Sequence, residues 1–190
     1  MKVATVNAGA DLADPASQAW NGVTAEAVAL APVPLAAQPT EYIREAWANR
    51  AYGKTAEARV AAATDGKKLY VRVEWADDPA PNAEFQDAVG AVLGDGPLDT
   101  LGSAASPLAL WYWENGRGAL NLVSKGPGVV TKADASAVSG TGASGGGKWA
   151  VVISGPASAS KGKLGVAVWN GSNEERAGLA AVSRNWLPLE

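Results

Sequence analysis

Short runs in which apolar and polar residues alternate, broken every few positions by Gly, Pro, Asn or Asp, constrain this chain more than any other feature. A strand turns successive side chains to opposite faces, so such runs predict half-buried strands and the breaks predict turns. Val23 to Leu30 alternates and stops at Pro32 and Pro34. Ala56 to Thr64 and Leu69 to Trp75 flank Asp65-Gly66-Lys67-Lys68. An Asp-Gly pair between two such runs is a strong hairpin signal, because both turn positions favour positive φ. Leu108 to Trp113 and Gly118 to Ser124 form a second predicted hairpin across Glu114-Asn115-Gly116-Arg117. Phe85 to Leu93, Trp149 to Ser154, Lys163 to Trp169 and Val182 to Leu189 complete the strands. Thr40 to Lys54 is polar and aromatic, with a helical turn expected over Glu41 to Ala48. Ser136 to Gly147, rich in Ser, Gly, Ala and Thr, predicts a flexible loop.

Many short strands with turn punctuation and no repeated motif predict an all-β chain, an antiparallel β-sandwich with one or two short helical turns. A length of 190 residues suits one sandwich domain spanning 1–190. Hydrophobic residues make up 47% of it, but many are alanine, so bulk in the core must come from Val, Leu and the eight tryptophans.

The chain has no histidine and no cysteine. That removes disulfides, iron–sulfur clusters, thiol nucleophiles, Ser-His catalysis and His-ligated metal or haem. A net charge of -3 gives no basic footprint for nucleic acid. Met1 to Asp11 lacks the apolar stretch of a signal peptide, and no apolar run could span a bilayer. The expected location is the cytoplasm as the chain stands, or the periplasm if a leader was removed.

The remaining constellations read structurally. Trp75, Trp111, Trp113, Trp149 and Trp169 fall in or at the ends of predicted strands. Trp111 and Trp113 share one strand face, which suits either a core stripe or a two-ring platform for a sugar. Asp77, Asp78 and Pro79, with Asp87 soon after, could be an acid–base or calcium pair, but the turn reading is favoured. Glu174-Glu175-Arg176 reads as an exposed turn. Gly145-Gly146-Gly147 does not lead from a strand into a helix, so it is no phosphate cradle. No catalytic site and no metal site emerge.

The order of several motifs carries a resemblance. Leu164 to Gly178, with Trp169-Asn170-Gly171-Ser172-Asn173-Glu174-Glu175-Arg176 at its centre, is followed by Ala181-Val182-Ser183 and Trp186. Upstream stand Asp14-Pro15 and Trp20, Asp65-Gly66 to Trp75-Ala76-Asp77, Phe85 to Val89, Pro107 to Trp113, Asn121 to Gly128, and Gly147-Lys148-Trp149. In this order they resemble the γ subunit of ethylbenzene dehydrogenase-type molybdenum enzymes, within the type II dimethyl sulfoxide reductase family. That family also includes dimethylsulfide dehydrogenase, selenate reductase and chlorate reductase. The resemblance implies a β-sandwich holding haem b between a methionine and a lysine. It also implies a heterotrimer, in which a large subunit holds the molybdenum cofactor and an iron–sulfur subunit exchanges electrons with γ.

Two positions depart from the family pattern. The axial methionine corresponds to Leu101, before Gly102, and the axial lysine to Ala180. Neither side chain has a lone pair to give iron. The one methionine is Met1, and Lys125, Lys132, Lys148, Lys161 and Lys163 read as solvated amines. A pocket without ligands is expected to fill or close, because empty volume costs about 24 cal/mol per Å³. The expectation is therefore a non-catalytic γ-type accessory subunit without haem, covering the iron–sulfur subunit, with molybdenum cofactor and iron–sulfur clusters in its partners. The alternatives are a haem b electron-transfer subunit with non-standard ligands and a carbohydrate-binding β-sandwich module.

Overall fold

Alternation becomes two facing sheets. The computed structural model describes residues 1–7, 11–77, 84–134 and 137–190. The described strands are β1 (Val3–Thr5), β2 (Ala25–Pro32), β3 (Glu57–Thr64), β4 (Lys68–Ala76), β5 (Ala88–Leu93), β6 (Leu108–Glu114) and β7 (Gly118–Ser124). They continue with β8 (Val130–Lys132), β9 (Ser139–Gly145), β10 (Lys148–Pro156), β11 (Lys163–Trp169), β12 (Ala181–Ser183) and β13 (Leu187–Pro188). One α-helix, α1 (Glu41–Ala46), begins where Thr40 Oγ1 accepts the Ile43 amide. Apart from the parallel pair of β1 with β3, the ladders are antiparallel.

The first sheet runs β9-β10-β4-β3-β2, and the second runs β8-β7-β6-β5-β11-β12. β2 joins them: Ala25 to Ala29 pair with β3, whereas Leu30 to Pro32 pair with β12. Between the sheets lies the main core, with Val60, Val71, Val73, Val151 and Ile153 facing Val89, Leu93, Trp111, Trp113 and Val166. Both outer faces are also covered in part. Leu12 and Trp20 lie over Ala61, Ala63 and Val152 of the first sheet, and a further cluster around Leu98, Leu101, Leu110 and Trp169 lies behind the second. That double covering explains why every residue of β5 is buried.

The tryptophans settle which of their two expected uses the fold makes. Trp111 and Trp113 both point into the core, where Trp113 meets Trp149 edge-on at 5.4 Å and Trp149 stacks on Trp75 at 6.2 Å. None of the eight is exposed, and Trp186 alone is half-buried. A two-ring sugar platform at Trp111 and Trp113 is therefore not what this structure contains.

Two expected segments differ. Ser139–Gly145, inside the expected loop, is β9, paired along its length with β10. Its glycines are required by packing: a Cβ at Gly142 would lie 2.3 Å from the Trp113 ring, and one at Gly140 would lie 3.0 Å from it. Flexible-loop composition here is the imprint of an indole lying across the strand. The expected strand Val182 to Leu189 is divided instead into β12 and β13, which pair with different stretches of β11.

The turns follow local chemistry. Gly146 and Gly147, both at positive φ, make the two-residue β9–β10 hairpin. Between β3 and β4 only Gly66 takes positive φ, while Asp65 Oδ1 accepts from the amides of Lys67 and Lys68 at 2.8 and 2.7 Å. Those two backbone donors, Lys68 first, hold the Asp65 carboxyl below its usual range, and Lys163 then Lys161 do the same for Asp95. A depressed carboxyl stabilises the fold above the ordinary carboxylate range and loses that contribution as pH falls through its folded value. Melting temperature should thus drop below about pH 4, and less steeply in an Asp65→Asn, Asp95→Asn variant. Parallel melting curves for the two proteins from pH 7 to pH 3 would contradict this.

Candidate cofactor pocket

Leu101 ends a tight turn after β5. Its amide bonds the Leu98 carbonyl at 3.0 Å, and the Gly102 amide bonds that of Pro97 at 2.7 Å. Both residues sit at positive φ, 55° and 93°. Glycine is needed at 102, where a Cβ would lie 2.7 Å from the Ser124 carbonyl oxygen. Leucine at 101 accepts a conformation that L-residues avoid, at a cost of roughly 1–2 kcal/mol. Its carbonyl accepts from Ser124 Oγ at 2.6 Å, which pins the turn to β7.

Ala180 directly precedes β12. Gly178, two residues earlier, is wedged against Gln38 and Pro127, and Gln38 Nε2 donates to its carbonyl at 2.7 Å. The Ala180 carbonyl then accepts the Val33 amide at 2.9 Å, and the residue is fully buried. Leu101 and Ala180 belong to the same apolar cluster on the outer face of the second sheet. Met1 belongs to the inter-sheet core instead, so its thioether lies in a different cluster from both positions.

Beside Leu101 the same face holds a hollow of about 400 Å³. Leu110 and Tyr112 of β6, Leu120 and Leu122 of β7, Val130 of β8 and Trp169 of β11 form its walls. The walls follow from strand alternation: 110 and 112, and 120 and 122, share the face opposite Trp111 and Trp113. The Tyr112 ring meets Trp169 edge-on at 5.2 Å, and burial pushes its hydroxyl pKa up, with the Glu114 carboxylate beside it adding to the effect. Lys132 also lines the hollow; Lys125, Lys148 and Lys161 are exposed elsewhere, and Lys163 pairs with Asp95 at 2.9 Å. The pocket was expected to fill or close, yet the space beside Leu101 remains open. β-Strands hold the wall residues in place, and Ala177 and Gly128 are too small to fill the gap.

The acidic residues do different work. Asp77 Oδ1 accepts from Asn170 Nδ2 at 3.1 Å, a partner far along the chain. Asp87 accepts from the Gly171 amide at 2.8 Å and the Trp149 indole at 3.0 Å. Asp78 and Pro79 lie outside the described residues. Glu175, expected in an exposed turn, is 2% exposed. Its carboxylate accepts from the amides of Asn170 and Lys54 and from Asn173 Nδ2, at 2.9, 3.2 and 2.9 Å. It ties the 170–176 turn to Lys54, ahead of β3, and Glu174 on the surface pairs with Arg50 at 2.7 Å. Among the described residues, no group of three or more His, Cys, Asp or Glu is placed to hold a metal ion. No described helix is long and apolar enough to cross a membrane.

Comparison with known proteins gives this geometry its context. No family model matches. A protein of Haloferax mediterranei named as a respiratory nitrate reductase heme subunit is 31% identical over 89% of this chain and 65% of its own length. The chlorate reductase γ subunit of Ideonella dechloratans is 30% identical over 64% of the chain and 59% of its own length. The dimethylsulfide dehydrogenase γ subunit of Rhodovulum sulfidophilum is 30% identical over 66% of the chain and 57% of its own length. The chain is thus similar to γ subunits of this kind along more than half of their length.

The chain spans 57–65% of the length of these three. A family 9 carbohydrate-binding module from Caldicellulosiruptor kristjanssonii, solved with glucose, superposes with a TM-score of 0.56 at 12% identity. The match covers 100% of this chain and 95% of that one, and it speaks for the β-sandwich fold alone.

Proposed function

We propose that this chain is a non-catalytic γ-type accessory subunit of a molybdenum and iron–sulfur oxidoreductase complex, that it binds no haem, and that it covers and stabilises the iron–sulfur subunit. One observation carries the reading: the two positions aligned with the family's axial ligands, Leu101 and Ala180, are buried alkyl side chains in one apolar cluster. Residues that fit a haem would include two side chains with lone pairs there, and these offer none. Without haem the chain holds no redox centre, so what it can contribute to an assembly is surface and stability. Molybdenum cofactor, clusters and substrate choice would all reside in the other subunits.

The test is an optical spectrum with metal analysis of the assembly purified from its source. The expected result is iron and molybdenum matching the partner subunits alone, with no Soret band. A second reading, haem b on non-standard ligands, has one observation in its favour, namely Lys132 at the wall of the apolar hollow. It predicts a Soret band that Lys132→Ala removes. Recovery of the chain with neither molybdenum nor iron–sulfur subunits overturns both.

A further inference from the structure

We propose that the hollow on the outer face of the second sheet binds a fatty-acid-like molecule, an apolar body carrying one carboxylate that pairs with Lys132. The proposal concerns this chain alone and stands whether or not the chain joins a molybdenum complex. A volume of about 400 Å³ falls within the range of small-ligand sites, roughly 300–1,000 Å³. The chemistry of the wall then narrows the occupant.

The polar groups along the wall are already committed. Ser124 Oγ donates to the Leu101 carbonyl at 2.6 Å, the Tyr112 hydroxyl to Glu114 at 3.3 Å, and the Trp169 indole to the Ala177 carbonyl at 3.0 Å. Leucines, Val130 and aromatic rings supply the rest of the surface. A ligand body with polar atoms would lose water there and gain no bond in exchange, so the body must be apolar. Lys132 differs from everything around it. It is the charged side chain among the lining residues, and among the described residues no carboxylate lies within ion-pair distance of it. It sits on the short edge strand β8, exposed, where an anionic head group could stay partly hydrated while the tail enters. Val130, a large hydrophobic that is exposed, stands on the same strand and lines the hollow with it.

Dodecanoate is the probe, with dodecanol as its uncharged counterpart, each titrated into the purified chain below its aggregation limit and followed by calorimetry and tryptophan emission. Trp169 on the wall supplies the optical signal. Saturable one-to-one binding of dodecanoate is expected, weakened about tenfold by Lys132→Ala, while dodecanol binding is unchanged by that variant. Val130→Trp should abolish both, since it fills the mouth of the hollow. Both substitutions are at exposed strand positions, and unchanged melting temperatures would confirm folding. No saturable binding, or equal affinity in all three proteins, overturns the proposal. So does stoichiometric haemin uptake that dodecanoate cannot displace. If Val130→Trp leaves dodecanoate binding intact but prevents assembly with another subunit, the hollow belongs to a protein neighbour and the proposal fails.

Discussion

Replacing Glu175 by leucine should cost about 3–5 kcal/mol of folding stability, the largest loss expected from any single change in the 170–176 turn. The side chain is 2% exposed, and its carboxylate accepts three N–H groups, from Asn170, Lys54 and Asn173. Leucine has similar bulk, so the packing changes little. What changes is that three donors lose their acceptor, one of them fully buried and two part-buried. For a domain of this size the loss corresponds to a melting temperature lower by roughly 10–15 °C. Glutamine keeps one acceptor oxygen and the shape, so Glu175→Gln should fall between leucine and wild type. Urea unfolding of the three proteins measures it. A Glu175→Leu loss below about 1 kcal/mol would mean that the turn relaxes and its donors find water.

Trp111 should respond on a similar scale, and its partner across the core makes the test specific. It is 1% exposed, and Trp111→Ala should cost about 3–5 kcal/mol through the cavity it leaves. The indole lies flat over Gly155 of β10, where a Cβ would sit 2.5 Å from the ring. Gly155→Ala should therefore cost about 1–3 kcal/mol by overpacking. In a Trp111→Phe background, where the ring is smaller, the alanine should cost less. The double-mutant cycle gives a coupling energy of opposite sign to the single losses, with a magnitude of about 0.5–3 kcal/mol. Strictly additive losses would show that the two positions relax independently and that the glycine is there for another reason.

These two sites also mark where the sequence stops being readable. The hairpins were legible because their signals are local. Asp65-Gly66 and Asn115-Gly116 sit between runs of period two, and the structure turns at both. That Trp111 and Trp113 share a face was likewise fixed by their spacing. That this face is the core, rather than a sugar platform, depended on the sheet lying opposite. β9 was not legible at all. A strand of Ser, Gly, Thr and Ala has the composition of a linker, and only the Trp113 ring packed across it explains why small residues are required.

The candidate pocket divides in the same way. Alignment of motifs singled out Leu101 and Ala180, and their inability to bind iron follows from side-chain chemistry alone. No pattern in the chain showed that a hollow would remain beside Leu101, because its walls come from separated segments. Among five candidate lysines, sequence gave no reason to prefer Lys132 over Lys125, Lys148, Lys161 or Lys163. Its place on β8 beside the apolar wall does. Glu175 was read as exposed because charged residues in a polar turn usually are. The three donors that justify burying it lie at 54, 170 and 173, and one of them is more than a hundred residues away along the chain.

By itself, then, the sequence determined the all-β character, most strand positions and the likeness to γ subunits. Each rests on a periodicity or on an ordered set of local motifs. Tertiary structure alone decided which strand faces are inside, that glycine-rich residues form an edge strand, that one acid is buried and that an open apolar space survives. Each of these depends on groups far apart in the chain, and their mutual distance is set by how the two sheets close on one another.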